Sequence, residues 1–159
     1  MEIRKKFTCW NLIRKMIALI GCVKTKLNVS GIRARDIYIS PLFKKSVKFI
    51  ESQKYEDWFI LSAKYGLIEK EKIIDTYELT LSSFSINELK NWSQKIYCEI
   101  KDRKLDNLYF YCGSLYHNKF LLNLLQKDNI QYYLPLEKMS LGQRLSFFNK
   151  MNKNKGFFL

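Results

Sequence analysis

The sequence predicts an α/β fold in three layers: one mostly parallel sheet with helices on both faces. Three observations predict it. Short apolar runs near 16–21, 57–62, 107–112 and 130–134 read as buried strands. Amphipathic segments of helical spacing separate them, and strands alternating with helices build parallel sheets. Where the chain leaves three of these strands it carries glycine or small residues, at Gly21-Cys22, Ser62-Ala63 and Cys112-Gly113-Ser114.

The elements follow in order. Met16 directly precedes the first strand, and the basic segment 1–15 stands apart as an extension. After a loop bearing Lys24 and Lys26, the run Ala34 to Phe43 leads into a helix. Ser40 is placed to cap it, with Pro41 at its first position. Leu42, Phe43, Val47, Phe49 and Ile50 give that helix its apolar face. Trp58 to Ser62 is the second strand, and Ala63 to Ile68 is its exit loop. Ser85 and Glu88 form a capping box for a helix from about Ile86 to Ile100. Leu108 to Cys112 is the third strand. Leu115 to Gln126 is expected as a helix burying Leu115, Phe120, Leu121, Leu124 and Leu125. Ile130 to Leu134 is the last strand, stopped by Pro135. A C-terminal helix opens near Met139 and runs to about Met151. The expected organisation is therefore an extension, 1–15, one α/β domain, 16–151, and a frayed tail, 152–159.

Composition bounds the function. The chain has 159 residues, 47% of them apolar and 15% aromatic, enough for one domain with a real core. No apolar run reaches the ~18 residues of a membrane span, so no membrane partner is expected. Cys9, Cys22, Cys98 and Cys112 are scattered, with no CxxC pair, and no metal or cofactor is expected. Without a secretory signal, the expected location is the cytoplasm, with reduced thiols. The net charge of +13, from 28 Lys+Arg against 15 Asp+Glu, favours polyanionic partners such as DNA, RNA or nucleotides. A chain rich in Lys, Asn and Ile also becomes basic through AT-rich coding alone.

The chemistry-bearing residues gather at the strand ends. Parallel strands bring such ends to one edge, where ligands of open α/β sheets bind. Gly21 permits a sharp turn and a close backbone approach to a ligand. Cys22 is a potential nucleophile, with Lys24 and Lys26 to favour a thiolate and attract an anion. The second loop offers Ser62, Lys64, Tyr65 and Gly66. The third offers Cys112, Gly113, Ser114 and Tyr116, with free N–H groups before a helix. Asp75 is a candidate catalytic acid or base. Glu78 is a candidate base or ribose-binding acid. His117, the one histidine, is a general acid or base in principle and an exposed polar residue in the ordinary case. Arg144 is a candidate phosphate ligand. Each loop alone has an ordinary reading as turn chemistry.

Three segments carry a resemblance. They are IGCVKTK (20–26) with ARDIYISPLF (34–43), LSAKYGLI (61–68) with YEL (77–79), and CGSLY (112–116). Together they resemble a family of small, uncharacterised bacterial and phage α/β domains over residues 16–148. The block LSAKYGL…YELTL is also similar to one in the peroxide-stress YaaA family. That family resembles uracil-DNA glycosylases in fold and has been linked to DNA binding. A weaker similarity is to archaeosine synthase, which acts on a nitrile-bearing 7-deazaguanine in tRNA. Cys22 and Lys26 match its C-x-x-x-K spacing. Tyr38 and Ser40 correspond to its later Tyr and Ser across an insertion and with one residue fewer between them, and Gly21 replaces its proline.

The resemblances imply a uracil-DNA-glycosylase-like fold and a role with a nucleobase or nucleic acid. The expected function is an enzyme acting on a nucleobase or nucleotide. Cys22 would be the nucleophile, with Lys26 and Asp75 assisting. Gly21, Lys24, Tyr38, Ser40, Ser62, Lys64, Tyr65, Gly66, Tyr77, Cys112, Gly113, Ser114, Tyr116 and Arg144 would bind the substrate. The alternative is a DNA- or RNA-binding protein without catalysis.

Overall fold

The computed structural model describes residues 15–154. Segment 1–14, with Cys9, and residues 155–159 of the tail lie outside the described residues. The elements in chain order are β1 (Ile17–Gly21), β2 (Ile32–Arg33), α1 (Ala34–Ile37), α2 (Pro41–Glu51), β3 (Asp57–Ser62), β4 (Gly66–Glu69), β5 (Ile73–Ile74), α3 (Ile86–Asp102), β6 (Leu108–Tyr111), α4 (Lys119–Lys127), β7 (Tyr132–Tyr133) and α5 (Leu141–Lys153).

The main sheet has the order β4-β3-β1-β6-β7. Four of its strands are parallel, and β4 runs antiparallel against β3. β1 is central because all five of its residues can be buried, as a strand covered on both faces requires. Side-chain alternation sorts the core into two halves. Ala18, Ile20, Trp58, Ile60 and Tyr111 pack with Phe43, Phe49 and Ile50 of α2 and Phe148 of α5. Ile17, Leu19, Phe59, Leu61, Leu108 and Phe110 pack with Trp92, Ile96 and Ile100 of α3 and Leu121 and Leu125 of α4. The expected three layers are present.

The caps act as their residue types require. Ser40 accepts from the Phe43 N–H, with Pro41 starting α2. Ser85 and Glu88 close a capping box on α3. Ser140 and Gln143 form a second box on α5, which begins later than its apolar pattern suggests.

Several expectations change. The exit loop at 63–68 is a tight turn into β4, because Ser62 Oγ accepts from the N–H groups of Lys64 and Tyr65 and folds the chain back. α4 starts at Lys119, because Asn118 Oδ1 accepts from the Phe120 and Leu121 N–H groups. Leu115 therefore lies in the preceding turn and is 40% exposed. Phe120 and Leu124 are half-buried. The last strand shortens to two residues. α5 runs on through Asn152, which donates to Lys45 O of α2, so the helix passes into the expected tail.

Gly66 has a structural task. Its φ is +78°, and a Cβ there would lie 2.6 Å from Glu99 Oε2. That carboxylate accepts from the Leu67 N–H at 2.8 Å and ties α3 to β4. Gly66→Ala should therefore destabilise the protein by about 1–3 kcal/mol in urea denaturation. Thiol reactivity at Cys22 should stay as it is. An unchanged midpoint would return Gly66 to the candidate site.

Candidate functional site

The connection leaving β1 passes through α2 to β3, while the one leaving β6 passes through α4 to β7 on the opposite side. The two chains diverge between β1 and β6, and such a switch point opens a crevice at the carboxyl ends of the strands. A cavity of about 430 Å³ lies there. Its wall includes Gly21, Cys22 and Lys24 after β1, Ser40 and Phe43 at the start of α2, and Tyr111, Cys112, Gly113 and Tyr116 at the end of β6. Leu136 and Arg144, Leu145 and Phe148 of α5 complete it. The lining is mostly apolar and aromatic.

Cys22 sits in the middle. The register pairs Gly21 with Leu61 and Ile20 with Tyr111, so the next positions align Cys22 with Ser62 and Gly113. Its N–H donates to Leu61 O at 2.9 Å, which holds the backbone in line with β3. Tyr116 comes over the strand end from the far side. Its hydroxyl donates to Cys22 O at 2.7 Å and lies 3.2 Å from Cys22 Sγ. With its proton on the carbonyl, the phenol oxygen is left to accept from the thiol. The ring fills the space above Gly21, where a Cβ would lie 2.9 Å from Cys112 Cβ and 3.0 Å from Tyr116 Cδ2. The close approach foreseen at Gly21 is thus made by Tyr116. Burial raises the Tyr116 pKa, and charge on Cys22 adds to this, so the phenol stays protonated.

A buried polar chain flanks Cys22 on the β3 side. Ser62 Oγ donates to Tyr77 Oη at 2.8 Å, and Tyr77 and Tyr38 share a hydrogen bond of 2.7 Å. Lys26 Nζ lies 4.4 Å from the Tyr77 ring centroid and 5.9 Å from that of Tyr38, a cation–π geometry. Burial lowers the Lys26 pKa, while Cys22 and Glu78 oppose the shift. Burial raises both tyrosines, so they act as neutral hydrogen-bonding groups. Tyr65 packs edge-on against Tyr77, with ring centroids 5.5 Å apart.

Arg144 supplies the cavity's other cation. Its Nη1 bounds the space that a side chain at Gly113 would need, 3.2 Å away, and its Nε donates to Met139 O at 3.3 Å. Among the described residues no carboxylate forms an ion pair with it. Burial pushes the Cys112 thiol well up from its ordinary value, and Arg144 offsets this in part.

The structure thus brings Gly21, Cys22, Lys24, Ser40, Cys112, Gly113, Tyr116 and Arg144 onto one cavity. Lys26, Tyr38, Ser62, Tyr65 and Tyr77 form the polar chain beside it. Lys64 and Ser114 are exposed outside the wall. Asp75 is also outside: its Oδ1 accepts from the Gly31 N–H at 2.9 Å and closes a loop. The apolar wall from Phe43, Tyr111, Leu136 and Phe148 was not foreseen as site. Its signal lay in helical spacing, which looks the same for a core face and a cavity face. Among the described residues no group of His, Cys, Asp and Glu could hold a metal ion, and no helix is long and apolar enough to cross a membrane.

This is a doubly wound α/β domain with a thiol-bearing cavity at its switch point. The chain belongs to DUF6884, a family of unknown function, whose pattern matches residues 17–150. No curated protein and no solved structure matches it.

Two outcomes follow from this geometry. Gly21→Ala should displace Tyr116 and cost about 1–3 kcal/mol in denaturant unfolding, as overpacking does. A stable variant with Tyr116 unmoved would refute the packing argument. His117 is half-buried outside the cavity wall, edge-on to Phe110, and burial lowers its pKa from 6.5. The unfolded chain then takes up this proton first as pH falls. The stability contribution is complete above 6.5 and is lost as pH drops through the lower folded value. In thermal melts the difference between wild type and His117→Asn should be constant above 6.5, and wild type should lose stability relative to the variant as pH falls below it.

Proposed function

We propose that this protein is an enzyme acting on a nucleobase or nucleotide, with Cys22 as its nucleophile. The observation that carries this reading is a cysteine thiol at the switch point, on the wall of an apolar, aromatic-lined cavity of about 430 Å³. That volume lies in the range of small-molecule sites. An apolar lining suits the faces of a planar base, and the guanidinium of Arg144 suits an anionic or carbonyl-rich edge. The resemblances to archaeosine synthase and to the uracil-DNA-glycosylase-like YaaA family point to the same class of ligand, including a 7-deazaguanine-like base in nucleic acid.

In this reading the Cys22 sulfur adds to an electrophilic carbon of the base, a nitrile or a ring carbon. A carbon–sulfur bond forms, and the π pair moves to the adjoining nitrogen. The Lys26 ammonium, which burial makes easier to deprotonate, gives a proton to that nitrogen and takes up the thiol proton in its place. A glycosylase-like hydrolysis is less well supported. Asp36 is bound to Arg33 at 2.7 Å and Asp75 to Gly31, which leaves Glu78 as its candidate acid. The unpaired thiols of Cys22, Cys98 and Cys112 suit a reducing compartment such as the cytoplasm.

A nucleic-acid binder without catalysis is the second reading, favoured by the net charge of +13. Intact-mass spectrometry after incubation with a nitrile-bearing 7-deazaguanine separates the two. An adduct present in wild type and missing in Cys22→Ser supports the enzyme. No adduct and no turnover, with DNA or RNA binding unchanged in Cys22→Ser, supports the binder. Iodoacetamide should also reach Cys22 before Cys112, which is held protonated by burial. Cys98 is exposed and serves as the surface reference.

A further inference from the structure

A second hollow, of about 480 Å³, adjoins the cavity. Lys24, Glu78, Thr80, Leu81, Ser82, Leu115 and Tyr116 line it. Lys24 and Tyr116 belong to both walls, so the two spaces meet across the residue that holds Cys22. Their chemistry differs. The first is largely apolar. The second presents an ammonium, a carboxylate and two hydroxyls, with Thr80 Oγ1 and Ser82 Oγ 3.0 Å apart. Glu78, Ser82 and Lys24 are exposed, and no ion pair joins Lys24 to Glu78.

We infer that this hollow is the sugar–phosphate subsite of the same ligand, and that the protein acts on a ribonucleotide unit rather than a free base. The inference rests on the nucleobase reading of the cavity. The base lies in the cavity against Leu42 and Leu145, and the glycosidic link passes beside Tyr116. The ribose reaches Glu78, whose carboxylate accepts from a vicinal diol, with Thr80 and Ser82 completing the polar lining. The phosphate meets Lys24, which has the reach and exposure of a point-charge phosphate ligand. One carboxylate and one ammonium, with no ion pair between them, match one diol and one phosphate in hydrogen bonding and charge. The apolar ring edge stays on the other side of Tyr116. None of this requires Tyr116 to move.

Calorimetric titration of the full chain tests it. The probes are the free base, deoxyribonucleoside, ribonucleoside and ribonucleoside monophosphate of adenine and of guanine. The expected result is a stepwise gain in one series, with the ribonucleoside about tenfold tighter than its deoxy form. Glu78→Gln should remove most of that tenfold preference and leave free-base affinity unchanged. Lys24→Gln should remove the gain from phosphate and its salt dependence. Both side chains are exposed, so both variants should fold, and thermal melts confirm this. Free base binding as tightly as the monophosphate, or Glu78→Gln keeping the ribose preference, overturns the subsite and leaves the nucleobase reading intact. If no probe in either series binds, the subsite is overturned, while the nucleobase reading stands or falls on the 7-deazaguanine adduct.

Discussion

The packing of Tyr116 on Gly21 is the contact on which the rest of the site depends. At the end of β1 the backbone leaves the sheet and the Cys22 carbonyl loses its ladder partner. A buried carbonyl without a partner is costly, and the Tyr116 hydroxyl supplies the bond. The ring can reach that position because residue 21 has no side chain. Tyr116 touches both halves of the core and Trp92, and so closes the sheet at its carboxyl end. The same contact fixes the sulfur of Cys22 at the cavity wall.

Cys22 consequently stands between two environments. On the α2–α5 side is an apolar space with two cations, Lys24 and Arg144, at its margin. On the β3 side is a closed chain of hydroxyls from Ser62 through Tyr77 to Tyr38, with the Lys26 ammonium over the rings. Every buried side-chain polar atom among the described residues has a partner, so this chain is complete without a ligand. A satisfied network of this kind is rigid. Among the described residues Arg144 and Lys24 on the cavity wall form no ion pair with a carboxylate. The polar chain fixes the surroundings of Cys22 on the β3 side.

Much of this was legible in the sequence because it rests on local rules. Strand alternation, the Ser40–Pro41 cap and the Ser85–Glu88 box are set by residues a few positions apart. The convergence of Cys22, Ser62 and Gly113 was legible because parallel strands align their ends. What escaped depends on side chains meeting across the fold. Ser62 looked like a ligand contact, but its oxygen is used in turning the chain into β4. Asp75 looked like a catalytic carboxylate, but a backbone N–H far away in sequence holds it. Leu115 looked like core, but Asn118 starts the helix one turn later. In each case a short-range pattern allowed two outcomes, and a long-range partner selected one.

The central position of β1 also bears on how the protein is made. Its partners begin at Asp57 and Leu108, so β1, the first of the described strands in chain order, is among the last to complete its pairing. Until β6 arrives, one edge of β1 has no neighbour. The β3–β4 hairpin joins strands adjacent in sequence and can form early. Tyr116 lies beyond β6, so its grip on Cys22 comes later still. A truncated or partly synthesised chain would therefore display an apolar strand edge and an uncovered thiol together, the combination most prone to aggregation and oxidation. In this architecture the Cys22 thiol is sheltered by the last pieces of the sheet to arrive.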